Sequence, residues 1–389
     1  MKKVYFFCDH TVPTEHPNAV RFANLGQIFR ELGYSVFLVG CDSGEDRTLE
    51  YAGMHCTVFH QAGGSGLSNA LKREEHQLRY IKDFLEKNGT PAYIVSCLYN
   101  CKAQRFLLRY CARNHVTQIK SVCEWFDRSS FAGVTGFFKL INNRYSLRIQ
   151  IPKAKNVIGI SSLLCDYYAS RGCNTVYIPT LVDTEEYLGV THAEDDRIRI
   201  AYAGSPARKD YLANAIRAVG LLSDEEKGRL ALHLYGTVPE QLVMLGIDPA
   251  FLEAHRDTIV CHGRIPYAEV KSRIADADFT VLLRPNKRYA NAGFPTKVGE
   301  SMACGTPVIA NITSDLGKYI LDGKTGIVCR DETPEACADG FRRALSMTAE
   351  ERNAMRNWAK EMAANGFDYK NYSALINNFL VATNKETII

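Results

Sequence analysis

Short apolar runs of strand length alternate with longer runs of helical spacing along the whole of this 389-residue chain, and the alternation breaks only once. In the first half, Lys3–Cys8, Ser35–Gly40, His55–His60, Ala92–Cys97, Gln118–Cys123, Asn156–Ile160 and Asn174–Ile178 read as strands. Asn18–Leu32, Ser68–Asn88, Lys102–Asn114, Phe137–Ile149 and Ser161–Arg171 read as helices between them. Such repetition means βαβ units and a parallel sheet covered on both faces. The break is Pro179–Tyr187 followed by the polar, acidic stretch Thr191–Arg197, which has a linker's composition. The pattern then restarts at Ile198–Ala203 and runs through strands Leu230–Tyr235, Thr258–Cys261, Phe279–Leu283, Val308–Ala310 and Gly326–Cys329. Helices Tyr211–Leu222, Tyr267–Ala275, Pro334–Leu345 and Ala349–Ala364 accompany them, and a last helix, Tyr369–Ala382, has Tyr372, Leu375, Phe379 and Leu380 at helical spacing and must pack on something. The expected fold class is therefore α/β, with two doubly wound Rossmann-like domains, 1–179 and 180–365. Open sheets of this kind bind ligands at the carboxyl ends of their strands, so a cleft is expected where the two sets of ends face each other.

Composition supports a globular reading and removes several classes. Hydrophobic residues make up 46% and charged residues 23% of the chain, as in soluble domains. No apolar run reaches the length of a membrane span. The start, Met1 to His10, loses its apolar character at Asp9 and reads as a first strand, not a signal peptide. The 13 cysteines are odd in number and form no Cys-x-x-Cys pair, which favours reduced thiols in the cytosol and gives no zinc site.

The stretch Gly293-Phe-Pro-Thr-Lys-Val-Gly-Glu300-Ser-Met-Ala-Cys-Gly305-Thr-Pro-Val-Ile-Ala310 reads as a loop, a helix, a glycine stop and an inner strand. Pro295 suits the first helical turn, where its missing N–H would be unpaired anyway. The free N–H groups there attract an anion such as a diphosphate. Glu300, about one and a half turns in, suits a sugar diol. The alternative is an ordinary βα unit with a solvated Glu. After the strand Ile198–Ala203, Gly204 permits a tight turn, Ser205 follows it, and Arg208 and Lys209 place two cations where a diphosphate would lie. Here the alternative is that Lys209 and Asp210 open a solvated helix. In Cys261-His-Gly263-Arg264-Ile-Pro266, Gly263 allows close backbone approach to a nucleobase and Arg264 has the reach for a phosphate. The loop Gln61–Gly66 has the wrong spacing for a dinucleotide fingerprint.

Gly293–Ala310, Ala203–Lys209 and the hinge segments Val157–Ser161 and Tyr177–Tyr187 occur in an order that resembles a retaining glycosyltransferase of the group-1 type (family 4) with the GT-B fold. The resemblance is clearest over about residues 155–330. It implies that the second domain holds a nucleoside-diphosphate sugar and that the last helix, 366–389, crosses back to the first domain. Glu300 matches the residue that grips the ribose hydroxyls, and Lys209 the diphosphate-binding lysine, with Arg208 beside it. Gly293, Phe294, Pro295 and Thr296 match the loop that offers N–H groups to the donor, followed by Lys297. Lys209, Arg208 and Glu300 are thus the expected catalytic set; Gly204, Ser205, Arg264, Gly293, Phe294, Pro295, Thr296, Lys297 and Glu300 are the expected donor contacts. No metal and no separate cofactor is expected, since cations and the helix dipole suffice for the diphosphate; the substrate is a nucleoside-diphosphate sugar, with a UDP-sugar favoured.

Three departures from the family pattern bear on substrate. The Glu-x7-Glu spacing asks for a carboxylate eight residues before Glu300, where Ala292 stands. The glycine pair after the first strand is replaced by Thr11–Asn18, so His16 and Asn18 become acceptor-side candidates. The family's first-domain His has no match; Cys123-Glu124-Trp-Phe-Asp127 occupies its place, and Glu124 and Asp127 either orient a hydroxyl or form simple ion pairs.

Charge is concentrated. Between Cys101 and Lys155 there are eleven basic residues and two acidic ones, so this segment carries +9 and the remainder −5 within a net charge of +4. Lys102, Arg105, Arg109 and Arg113 line one helix face. Lys139, Arg144 and Arg148 mix with large apolar residues, a pattern that suits anionic lipid headgroups or a lipid-diphosphate acceptor, or else a solvated helix face. No nucleic-acid-binding fold is evident. The expected function is transfer of a sugar to a glycan or lipid-linked acceptor in cell-surface polysaccharide or glycolipid synthesis, by a cytoplasmic protein peripheral on the inner face of the membrane. The alternatives are a sugar-nucleotide epimerase and a non-catalytic sugar-nucleotide-binding partner.

Overall fold

A computed structural model describes residues 1–12, 17–61, 67–128, 133–190, 192, 196–205 and 209–386. The chain divides into two compact units. The first comprises Met1–Leu181, Ala292–Phe294 and Tyr369–Ile389, the second Val182–Asn291 and Pro295–Asp368.

The first unit is built on an eight-stranded sheet. Its strands are β1 (Lys3–Phe7), β2 (Ser35–Asp42), β3 (Arg47–Tyr51), β4 (Met54–His60), β5 (Tyr93–Ser96), β6 (Thr117–Val122), β7 (Asn156–Gly159) and β8 (Asn174–Tyr177). Their order across the sheet is β3-β4-β2-β1-β5-β6-β7-β8. Every pairing is parallel except β3 with β4. The antiparallel edge corrects the expectation of an all-parallel sheet. Its sequence, RTLEY, is too polar to read as a strand, and it forms because Ala52 and Gly53 turn the chain back onto β4. Helices α1 (Pro17–Glu31), α2 (Leu67–Asn88), α3 (Cys101–Asn114), α4 (Gly133–Tyr145) and α5 (Ser162–Ala169) make the connections. Asn100 caps α3, accepting from the N–H of Lys102 at 2.9 Å and of Ala103 at 3.2 Å.

One face of this sheet packs on α1 through Phe6, Phe22, Leu25, Ile28 and Phe29. Arg21, on the same helix, is fully buried. It donates to the carbonyls of Ile178 (2.9 Å) and Pro179 (3.1 Å), to Ser121 Oγ (2.9 Å) and to Cys123 Sγ (3.3 Å). A buried guanidinium persists only when its N–H groups are matched in this way. Lys120, counted above among the concentrated charges, is also buried. Its ammonium donates to Ser96 Oγ, the Leu98 carbonyl and Gln104 Oε1 at 2.8–3.1 Å, and burial lowers its pKa to about 8. It therefore adds nothing to a surface patch.

The second unit carries β9 (Ile198–Ala203), β10 (Leu230–Tyr235), β11 (Ile259–Gly263), β12 (Phe279–Leu282), β13 (Val308–Asn311) and β14 (Gly326–Cys329). They form one fully parallel sheet in the order β11-β10-β9-β12-β13-β14. Helices α6 (Leu212–Val219), α7 (Tyr267–Ala275), α8 (Thr296–Ala303), α9 (Pro334–Ser346) and α10 (Ala349–Gly366) accompany it. The core of one face joins Ile200, Leu232, Phe279 and Ile309 to Ile216 of α6 and Phe341 of α9. Chain order reverses between β9 and β12, so the topological switch point lies at their carboxyl ends.

The last helix, α11 (Ser373–Glu386), belongs to the first unit and buries Ile376, Phe379 and Leu380 with α1 and β8. Leu375, expected on its packed side, is 43% exposed; Ile376 takes the place because the helix begins at Ser373 after a single 3-10 turn, Tyr369–Tyr372. Among the described residues no helix is long and apolar enough to cross a membrane.

Replacing Arg21 by Met strands two main-chain carbonyls, so Arg21→Met should lower the stability of the first unit by about 3 kcal/mol or more. Urea unfolding followed by fluorescence checks this; an unchanged midpoint would remove Arg21 from its structural role.

Candidate functional site

At the end of β9 the chain leaves the sheet through Gly204, whose φ of 133° lies where only glycine is comfortable. A Cβ on Gly204 would sit 2.8 Å from Lys297 Cε, and one on the adjacent Gly236 would sit 3.1 Å from the Gly204 carbonyl carbon. Two glycines thus let the turns after β9 and β10 close on each other and make room for a lysine. Thr237, fully buried, fixes the turn by donating to the Gly204 carbonyl at 3.1 Å.

Lys297 enters this space from the first turn of α8. Its ammonium donates to Tyr202 Oη at 2.9 Å and to Asp210 Oδ2, and Tyr202 Oη donates to the same Asp210 oxygen at 3.0 Å. Arg284, just past β12, brings its Nε to 3.7 Å from Asp210 Oδ1 and is 3% exposed. Its backbone is held in place by Asn311, whose side chain accepts from the Arg284 N–H and donates to the Arg284 carbonyl, both at 2.8 Å. The switch point therefore gathers two cations around one carboxylate.

The electrostatics follow from burial and charge together. Burial pushes the Asp210 carboxyl up, but Lys297 and Arg284 outweigh it and hold it below the ordinary carboxylate value. Burial pulls the Lys297 ammonium down, and Tyr202 and Asp210 more than restore it. Glu300 lies one turn along α8 from Lys297, partly buried, and among the described residues its carboxylate takes no hydrogen bond. Burial raises its pKa to about 7 against the pull of Lys297 and Lys271. A carboxyl desolvated in this way beside a cation is the kind of group found at functional sites.

Of the residues singled out from the sequence, Gly204, Lys297 and Glu300 come together here. Lys209 is bonded in sequence to Asp210, so the segment that carries it is tied to α8 through the Asp210–Lys297 pair. Ser205 and Arg264 are exposed, Arg264 directly after β11. Thr296 opens α8, and Pro295 is its N-cap, one position earlier than expected, since its backbone is extended (ψ 113°). Gly293 and Phe294 are buried and pack with the first unit, as does Ala292. Arg208 and His16 lie outside the described residues, as do residues 62–66 of the loop Gln61–Gly66; Asn18 stands in the first turn of α1. Glu124 and Asp127 are partly buried in the segment after β6. The bland alternative for Asp210, a solvated helix opening, is corrected: its side chain is only 12% exposed. Asp210, Tyr202 and Arg284 were not foreseen. The available signal was Arg284 itself, a charge closing the apolar run Phe279–Leu283.

Residues 183–362 match the family described as glycosyl transferases group 1. The match takes in most of the second unit, which resembles a group 1 glycosyl transferase domain. Solved structures extend the likeness to the whole chain. A sucrose-phosphate synthase from Thermosynechococcus elongatus superimposes with a TM-score of 0.76 at 14% identity, covering 99% of this chain and 100% of that one. Anabaena HepE in complex with UDP-glucose gives 0.69 at 12% identity, covering 98% and 100%. The lipopolysaccharide outer core galactosyltransferase WaaB gives 0.64 at 14%, covering 98% and 99%. At such identities the likeness establishes the fold, two Rossmann-like α/β domains of the GT-B type. No curated protein matches the chain in sequence. The switch-point cluster lies within the matched residues 183–362.

The Glu300 carboxyl carries a testable linkage. Its folded pKa, about 7, stands above the ordinary 4.5, so the native state holds the proton more tightly than the unfolded chain. The stability it contributes is complete below pH 4.5 and is lost as pH rises through about 7. A rise of this size corresponds to at most roughly 3 kcal/mol. Glu300→Gln should flatten the fall in stability across that window in ligand-free protein; parallel curves for the two proteins would refute the assignment.

Proposed function

We propose that the chain is a retaining glycosyltransferase that draws a sugar from a nucleoside-diphosphate sugar, a UDP-sugar in the favoured case, and passes it to a glycan or lipid-linked acceptor in cell-surface polysaccharide or glycolipid synthesis. The observation that carries this reading is the cluster at the β9/β12 switch point: a part-buried lysine and a buried arginine facing one carboxylate, next to a helix start and an acid with no hydrogen bond among the described residues. A diphosphate meets the surplus positive charge, and the Glu300 carboxylate meets the ribose diol. The relative crystallised with UDP-glucose supports a uridine donor here. In the reaction the bond from the anomeric carbon to the diphosphate oxygen breaks. Charge growing on that oxygen is stabilised by Lys209, Lys297 and the N–H groups at the start of α8, with Arg208 beside Lys209. The acceptor hydroxyl bonds to the same face of the sugar and gives its proton to the departing phosphate. Glu124, Asp127, His16 and Asn18 are the acceptor-side candidates in the first unit.

The acceptor reading draws support from the surface of α4. Phe137, Phe138, Ile141 and Tyr145 stand exposed on it, and Ile149 continues the row on the π-helical turn Ser146–Gln150. Lys139, Arg144 and Arg148 are exposed among them. Large apolar side chains that monomers usually bury, set among cations, suit the interface of an anionic membrane, which supports a peripheral position on its inner face.

Titration calorimetry with UDP tests the donor site. Glu300→Ala should weaken binding by about 1.5–3 kcal/mol, the worth of a charged hydrogen bond. Unchanged affinity would take Glu300 out of the site. Vesicle sedimentation tests the surface: protein should pellet with vesicles containing phosphatidylglycerol, and joint replacement of Lys139, Arg144 and Arg148 by Gln should leave most of it in solution. Equal pelleting of the two proteins would speak against the membrane reading.

A further inference from the structure

Lys297 spends two of its three N–H donors on Tyr202 and Asp210, and Asp210 spends both oxygens, one on Lys297 and Tyr202 and the other facing Arg284. The ammonium is thereby held over Gly204, where no Cβ crowds it. We propose that Asp210 is a positioning residue for the diphosphate of the donor: it keeps Lys297 charged and aimed across the switch point with its third N–H left for a phosphate oxygen, and it anchors Arg284 as a second cation on its other side. The proposal rests on the donor reading above and deepens it.

The physics turns on how a buried cation behaves without its anion. Lys297 is partly withdrawn from water, its side chain 30% exposed. An ammonium there sheds its proton readily unless a carboxylate holds it. The groups facing it are Tyr202 on β9, Asp210 on the following turn with Arg284 behind it, and Glu300 on its own helix, backed by Lys271 of α7. Lys271 is itself paired with Glu186. Glu300 is partly protonated near neutrality and accepts no hydrogen bond from Lys297, and burial keeps the Tyr202 phenol neutral up to about 12, so Asp210 is the full anion paired with the amine. One carboxylate between two cations leaves the cluster net positive, which a diphosphate neutralises. Removing Asp210 would raise that surplus, yet it would also let Lys297 become a neutral amine as pH rises.

These two effects have opposite signs, and one variant separates them. UDP, GDP and dTDP are titrated into the full chain and into Asp210→Asn between pH 6.5 and 9.5. Wild-type affinity, for whichever nucleotide binds, should hold through the alkaline range. The variant should bind within about threefold of wild type at pH 6.5 and at least tenfold more weakly at pH 9. Labelling with acetic anhydride, read by mass spectrometry on ligand-free protein, should show Lys297 reacting at lower pH in the variant. Parallel affinity profiles, or tighter binding by the variant throughout, would overturn the proposal, the latter by showing that Asp210 merely competes with phosphate. If wild type binds none of the three nucleotides, the donor reading falls and this one falls with it. Should Asp210→Asn not fold, Tyr202→Phe removes the other acceptor on Lys297 and should move the alkaline limb the same way by a smaller step; no movement would count against the proposal.

Discussion

The Asp210–Lys297 contact is the interaction on which the second unit's site depends. It joins the turn that ends β9 to the helix that follows β12, two segments nearly ninety residues apart in the chain. The sheet brings them to the same end, since parallel strands deliver all their following turns on one side. The reversal of chain order between β9 and β12 opens a gap there instead of a crossing connection. The side chains then decide what the gap can hold. Two cations and one carboxylate give it a positive surplus, and Gly204 and Gly236 keep it from being filled by the protein itself.

The first unit repeats the plan with different chemistry. Its own order reversal lies between β1 and β5. Nearby, charges are held on neutral partners: Arg21 on carbonyls, a hydroxyl and a thiol, Lys120 on a hydroxyl, a carbonyl and an amide. These groups brace the ends of β5, β6 and β8. The cations of the first unit that reach solvent lie elsewhere, along one face of α3 at Lys102, Arg105, Arg109 and Arg113 and around the apolar row of α4. One sequence segment with a single apparent surplus of charge thus serves two purposes, and only the fold tells them apart.

The alternation of strand and helix was legible because both faces of a parallel strand are buried, which forces apolar runs such as Ile198–Ala203 and Val308–Ala310. β3 was not, because an edge strand with a solvated face tolerates Arg47, Thr48 and Glu50. Glu300 and Lys297 were visible from their place on a helix framed by Pro295 and Gly305. Asp210 was not, since next to Lys209 in the sequence it has the look of a local ion pair. Its partners, Lys297 and Arg284, are 87 and 74 residues away, and no local pattern announces a contact set by sheet order. Leu375 misled for a simpler reason: helical periodicity gives the spacing of a buried stripe but not its phase until the first turn is known.

Ala292 has an implication of its own. It stands where the family resemblance would put an acid, and it is wholly enclosed, its carbonyl receiving the Ser161 hydroxyl at 2.7 Å. A carboxylate introduced at that point would meet packed atoms and dehydration, not a sugar. An acid at position 292 would thus need the surrounding shell rebuilt with it, because the single exchange Ala292→Glu buries a charge where no space is set aside for one.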